Sequence, residues 1–170
     1  MSAQAISEPV RAQMNRMLLA ALIATVAMLF TAFAAAYMER AGARGWERLD
    51  LPGLLWVNTI VLLLSSVAAE AARRGRRAAL PLAILLGLLF LVGQAVAWAD
   101  LRARGLFLPT SPYAAFFYLL TGVHAVHVVA ALVALCLAFT RTRLLGLAVG
   151  FWHFMGAIWL YVLGILTVLG

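Results

Sequence analysis

The sequence has no lysine, one cysteine, and only six acidic residues and three histidines among 170. The acids are Glu8, Glu39, Glu47, Asp50, Glu70 and Asp100, and all of them sit in tails or near the ends of long apolar runs. A proton pump or ion-coupled transporter normally places a carboxylate relay at bilayer depth, and this chain has none to offer. The lone Cys136 falls inside an apolar run and is read as a small packing residue. The period-two alternation of barrel strands is also missing, which excludes a membrane β-barrel.

What is present is hydrocarbon. Hydrophobic residues make up 66% of the chain and charged residues 11%, with a mean hydropathy of +1.03. A water-soluble globule of this size cannot bury so much apolar surface, so the chain is an integral membrane protein. A hydrocarbon core of about 30 Å needs roughly 20 apolar residues in a helix. Five runs meet that length: Met17 to Met38, Leu51 to Ala69, Ala78 to Ala99, Tyr113 to Thr140 and Leu144 to Gly170. Backbone groups in lipid must be satisfied internally, so these runs are expected to be helices, giving an all-α bundle of five transmembrane helices. "RRGRRA" separates the second and third runs, "PTSP" precedes the fourth, and "RTR" allows only a tight antiparallel turn between the last two.

Residues 1–16 are expected to form a polar N-terminal tail and residues 17–170 the five-helix domain. The first run is longer than a signal-peptide core, so it is read as a retained helix. All 13 basic residues are arginine. Eight lie in the tail and in the second and fourth connections, against five on the other side. Arginine excess stays in the cytoplasm, which predicts an inside N-terminus and an outside C-terminus. The formal charge of +7 then reports topology and contact with anionic headgroups, and nothing points to nucleic acid.

His124 and His127 stand three apart in a run with no charge, and His153 lies ten residues past the turn that follows. Counting along antiparallel helices brings His127 and His153 to similar depth, so three imidazoles could approach one another. A haem or copper centre is one reading. The inventory favours the other: no carboxylate lies in the spans to orient the rings, and buried imidazoles can hydrogen-bond to Thr121, to a carbonyl or to each other. Asn58, Thr59, Ser65, Ser66 and Gln94 carry the same two readings, a path or a set of interhelical bonds, and the second is preferred. Small residues at Ala27, Thr31 and Ala35 are expected to let a neighbouring helix approach the first. Trp46, Trp56, Trp98 and Tyr113 fall near run ends, where amphipathic rings favour the interface.

Several stretches resemble subunit III of the haem–copper oxidases, the cytochrome c and quinol oxidase family. "FFYLLTGVHAVHVVAAL" is similar to the family's Phe-Phe-x-Leu-Thr-Gly-Phe-His-Gly-x-His-Val signature through Phe116, Phe117, Thr121, Gly122, His124, His127 and Val128. "FWHFMGAIWLYV" resembles its Tyr-Trp-His-Phe motif through Trp152, His153, Phe154 and Trp159, and "VNTIVLLLSS" resembles its Asn-Thr helix through Asn58, Thr59, Leu62, Ser65 and Ser66. Gln94 and Trp98 complete the positions taken as structural signature, and "MLFTAFAAAY" is similar to the helix that starts the short, five-helix form.

The resemblance implies a non-catalytic subunit of a bacterial aerobic terminal oxidase in the cytoplasmic membrane. Such a subunit carries no haem or copper itself, packs directly on catalytic subunit I, and supports assembly, sustained turnover and proton uptake. Haem and copper are expected in the partner subunits and not in this chain; subunit II and a small helical subunit are expected in the same complex, and bound phospholipid on this chain. Catalytic, cofactor and metal residues are then expected to be absent here. Three family carboxylates are missing: their positions fall at Val26, Ala97 and Gly156, so a proton-related contribution does not carry over. Competing readings are the related accessory subunit of nitric oxide reductase, a quinol oxidase subunit, a free-standing membrane cytochrome using the histidines, and a small transporter.

Overall fold

A computed structural model describes residues 8–42, 46, 50–109 and 111–168. Its elements are five long helices, α1 (Glu8–Ala41), α2 (Leu54–Arg73), α3 (Leu80–Ala103), α4 (Pro112–Thr140) and α5 (Leu145–Val168), with single 3-10 turns leading into α3 and α5. All five are long and apolar enough to cross a membrane, and no strand occurs among the described residues. The outward faces are as apolar as the core: Leu82, Leu85, Leu88, Leu89, Val92 and Val96 of α3 are all about half exposed. A helix apolar all round is stable only against lipid or other protein.

Helix ends follow local chemistry. Ser111 caps α4, its hydroxyl accepting the Ala114 N–H at 3.1 Å, and Pro112 occupies the first helical turn, where a missing N–H costs nothing. Gly75 (φ 105°) and Gly105 (φ 77°) end α2 and α3 in the left-handed conformation. In both cases the next residue donates back five positions, Arg76 to the Ala71 carbonyl at 3.0 Å and Leu106 to the Leu101 carbonyl at 3.1 Å. That is the double-bonded C-terminal motif for which glycine is suited.

Consecutive helices run antiparallel, with registers visible in paired contacts. Asn58 meets Phe90 and Ser65 meets Ala83 across α2 and α3, while Trp98 meets Thr121 across α3 and α4. α5 packs on α1, α2 and α4 and is the most enclosed helix. The start of α1, the end of α2 and the α4–α5 turn therefore lie at one arginine-rich end.

α1 starts at Glu8, within the segment read as a polar N-terminal tail, of which residues 1–7 lie outside the described residues. Arg, Ala, Gln and Met between residues 11 and 17 are good helix formers, and the helix simply continues past the apolar run, reaching about 51 Å at 1.5 Å per residue. The stripe Ala27, Thr31, Ala35 is not the packing face of α1. Val26, Phe30, Ala34 and Tyr37 are buried instead, because the bulkier rings gain most from contact with the bundle.

Candidate functional site

The buried polar side chains gather in the bundle interior, and most hold one helix to another. Asn58 donates Nδ2–H to the Phe90 carbonyl at 3.0 Å, and Ser65 donates to the Ala83 carbonyl at 2.7 Å, two rungs between α2 and α3. Gly93 makes the first rung possible: a Cβ there would collide with the Asn58 amide. Trp159 donates its indole N–H to Thr59 Oγ1 at 2.9 Å, tying α5 to α2, and Thr59 donates in turn to the Leu55 carbonyl at 2.8 Å. Trp98 donates to Thr121 Oγ1 at 3.0 Å, tying α3 to α4, and Thr121 passes its own proton to the Phe117 carbonyl at 2.6 Å. Gly122 lies beneath the Trp98 ring, 4.0 Å from where its Cβ would be. In each pair a hydroxyl that bonds its own helix also accepts from the next one.

Trp152 is fully buried against Gly87, where an added Cβ would lie 2.7 Å from the indole and from Leu132. Its N–H, both nitrogens of His124 and both amide atoms of Gln94 have no hydrogen-bond partner among the described residues. His124 is wholly buried in an aromatic box. Its ring lies 5.3 Å from that of Trp159, 5.9 Å from that of Phe90 and 6.3 Å from that of Phe30.

The three histidines do not converge. His127 turns back on its own helix, Nδ1–H donating to the Val123 carbonyl at 2.8 Å, and its ring packs on Phe30. His153 faces α2, with Nε2 3.5 Å from Glu70 Oε2. Equal depth fixes only one coordinate of a side chain; azimuth fixes the other. His153, Gly156 and Trp159 share the α5 face that meets Glu70, Ser66 and Thr59 of α2, which turns His153 away from the α4 pair. Among the described residues no three His, Cys, Asp or Glu side chains are grouped so as to hold a metal ion.

Glu70 was not singled out as a site residue by its sequence position. It accepts two hydrogen bonds from Arg73 and one from Arg74, each 2.7 Å, besides facing His153. Arginines three and four positions on are the usual helical signal for such a cluster. The positions where the resemblance expects carboxylates, Val26, Ala97 and Gly156, are all buried. An apolar or absent side chain is the low-cost occupant there.

At the arginine-rich end, Arg11 and Arg16 of α1 join Arg73 of α2 and Arg143 of the α4–α5 turn around a recess of about 480 Å³. An apolar groove of about 290 Å³, running over Leu18, Leu22, Leu137 and Phe151, opens beside it. Asn15, Leu19 and Leu147 line both.

At the opposite end, Trp46 and Tyr113 are packing residues as much as interface anchors. Trp46 meets Tyr37, Tyr113 and Phe116 with ring centroids 5.0–6.3 Å apart, and the Tyr113 hydroxyl donates to the Leu166 carbonyl at 2.7 Å.

Comparison with known proteins adds an independent result. The family model described as cytochrome c oxidase subunit III matches residues 10–169. The chain is 35% identical over 152 residues to the cytochrome c oxidase subunit 3 of Corynebacterium diphtheriae, a match covering 79% of this chain and 74% of that one. It is 32% identical over 120 residues to a Mycobacterium tuberculosis protein named "Probable cytochrome c oxidase subunit 3", covering 60% of this chain and 59% of the relative. A Rickettsia conorii protein of the same name is 28% identical over 145 residues, 74% of this chain and 49% of its own length. The matched stretch thus spans less than two thirds of the mycobacterial and rickettsial relatives.

Proposed function

We propose, because the chain belongs to the cytochrome c oxidase subunit III family, that it is the non-catalytic membrane subunit of a bacterial cytochrome c oxidase. In this reading it packs directly on catalytic subunit I, beside subunit II and a small helical subunit, and sustains their turnover in oxygen reduction. Haem and copper belong to those partners. The arginine-rich end faces the cytoplasm, which puts the N-terminus inside the cytoplasmic membrane and the C-terminus outside.

One observation carries the scaffold role. Five of the signature residues are spent on joining helices: Asn58 to the Phe90 carbonyl, Trp159 to Thr59 and Trp98 to Thr121. Side chains committed to interhelical bonds are not free to hold a cofactor, and they stiffen the surface offered to a partner. A rigid accessory subunit protects a catalytic neighbour from local opening, so its loss is felt over many turnovers more than in the first.

Oxygen uptake by membranes lacking this chain tests the role. The initial rate is expected to stay close to that of the intact strain and then decline during continuous turnover, with re-expression of the chain restoring the sustained rate. Equal decline with and without the chain would contradict it.

Bound phospholipid is part of the same reading. Arg11, Arg16 and Arg143 around one recess suit a phosphate headgroup, with Arg73 beside them already bonded to Glu70, and the adjoining groove suits an acyl chain. Replacing both Arg16 and Arg143 with glutamine is expected to strip anionic phospholipid from the purified complex, read by native mass spectrometry. Unchanged lipid retention would place the bound lipid elsewhere.

A further inference from the structure

We infer that the crevice between α2 and α5, walled by Leu63, Ser66, Val67, Glu70 and Arg74 on one side and by His153 on the other, seats a transmembrane helix of the catalytic subunit. The inference rests on the accessory role above and adds to it the face through which the contact is made.

Most of the outward surface needs nothing but lipid. α3 presents Leu82, Leu85, Leu88, Leu89, Val92 and Val96, and α4 presents Val126, Val129, Val133 and Leu137. The exposed hydroxyls of α1 are satisfied within their own helix, Thr25 donating to the Leu22 carbonyl at 2.9 Å and Thr31 to the Ala27 carbonyl at 2.8 Å.

The α2–α5 crevice differs. It encloses about 470 Å³ and brings an imidazole and a hydroxyl to bilayer depth. α2 centres on Leu63 and Leu64, and α5 on Gly156 and Ala157. At about 1.5 Å per residue, His153 stands about 5 Å and Ser66 about 4 Å from the middle of its helix, well inside a hydrocarbon core about 30 Å thick. The His153 side chain is nevertheless 41% exposed. Gly156 faces the Ser66 hydroxyl and contributes no side chain to cover it.

Acyl chains offer such groups no hydrogen bond, and ionisable side chains at this depth belong against protein or in a wet cavity. A phospholipid headgroup stays at the level of Arg74, above both of them. An occupant that brings hydrogen-bonding groups one to two turns deeper is a polypeptide helix. The rim adds charge complementarity. Glu70 accepts from Arg73 and Arg74, and two guanidiniums against one carboxylate leave a positive charge uncompensated. The Arg74 side chain is 76% exposed. The incoming helix therefore carries an acidic residue at the arginine-rich end, a hydroxyl or amide side chain facing Ser66 and His153, and aliphatic side chains against Leu63 and Val67.

Photocrosslinking in native membranes tests the seat. A benzophenone amino acid replaces either Val67, 68% exposed on the crevice wall, or Val92, 59% exposed on α3. On irradiation the Val67 variant is expected to form an adduct with the haem–copper subunit, identified by mass spectrometry, and the Val92 variant is not. Phospholipid adducts alone at Val67, or equal protein adducts from both positions, would overturn the seat even where the tagged chain still co-purifies with the oxidase. Capture of a protein from outside an oxidase would instead overturn the accessory role, and with it the occupant named here. His153→Leu gives a second readout. The catalytic subunit retained on the tagged chain through a detergent wash should fall about two- to tenfold, whereas His153→Gln, which keeps a hydrogen-bonding side chain at that depth, should retain it. Equal retention by the leucine and glutamine variants would remove His153 from the contact and sink the proposal.

Discussion

Gly93→Val is expected to part α2 from α3. Asn58 lies directly against Gly93, so any Cβ at that position displaces the amide that bonds the Phe90 carbonyl. Overpacking of a filled core costs about 1–3 kcal/mol, and a buried group robbed of its hydrogen bond about 1–3 kcal/mol more. The helices cannot yield easily, because the Ser65 bond to the Ala83 carbonyl fixes the same seam two turns away. Thermal denaturation of the purified chain should therefore show a loss of about 2–6 kcal/mol for the valine variant. Removing the obstacle gives a sharper check. Asn58→Ala combined with Gly93→Ala is expected to be more stable than Gly93→Ala alone, since the new methyl then enters space the amide has left. Strictly additive losses would show that Gly93 does not act by making room for Asn58.

Trp159→Ala is expected to be the most damaging single truncation. The indole is buried, donates to Thr59, and packs 5.0 Å from the Phe90 ring and 5.3 Å from the His124 ring. It is where α2, α3, α4 and α5 meet. Truncating a buried tryptophan costs about 3–5 kcal/mol, mostly through the cavity left behind. Lipid does not offset this loss, because the cavity is enclosed by helices and not by the bilayer. Trp159→Phe keeps one aromatic ring but loses the N–H and part of the indole, so its cost should be the roughly 0.6 kcal/mol typical of interhelical hydrogen bonds in membranes plus a smaller cavity loss, well below that of Trp159→Ala. Melting curves of the two variants separate packing from hydrogen bonding, and comparable losses in both would mean the Thr59 bond dominates instead.

The class of fold was legible because bilayer thickness imposes a length on each helix and leaves few alternatives to it. Four of the five expected runs begin and end within a few residues of α2 to α5. α1 was less legible at its start, since a helix leaving the hydrocarbon keeps its backbone geometry while its composition turns polar. Polar residues inside apolar runs, Asn58, Thr59, Thr121 and Gln94, announced themselves as buried because lipid is a poor place for an unpaired amide or hydroxyl.

Rotation about the helix axis was the harder quantity. Depth follows from counting residues, but the facing partner depends on how each helix is turned, and nothing in an all-apolar surround marks the inward side. That is why counting places His153 at the depth of His127 without showing that it faces Glu70, and why the packing face of α1 is the Val26–Phe30–Tyr37 side and not the Ala27 stripe. Glu70 was overlooked for a related reason: a carboxylate at a helix end reads as ordinary interface charge until the neighbouring helix is in place.

The central claim, membership of a working oxidase, is most directly tested by purifying the tagged chain from native membranes in mild detergent and identifying by mass spectrometry what elutes with it. Recovery of a large haem–copper subunit together with a copper-bearing partner is expected. Repeated recovery of the intact chain alone, or with subunits of an unrelated membrane complex, would contradict it.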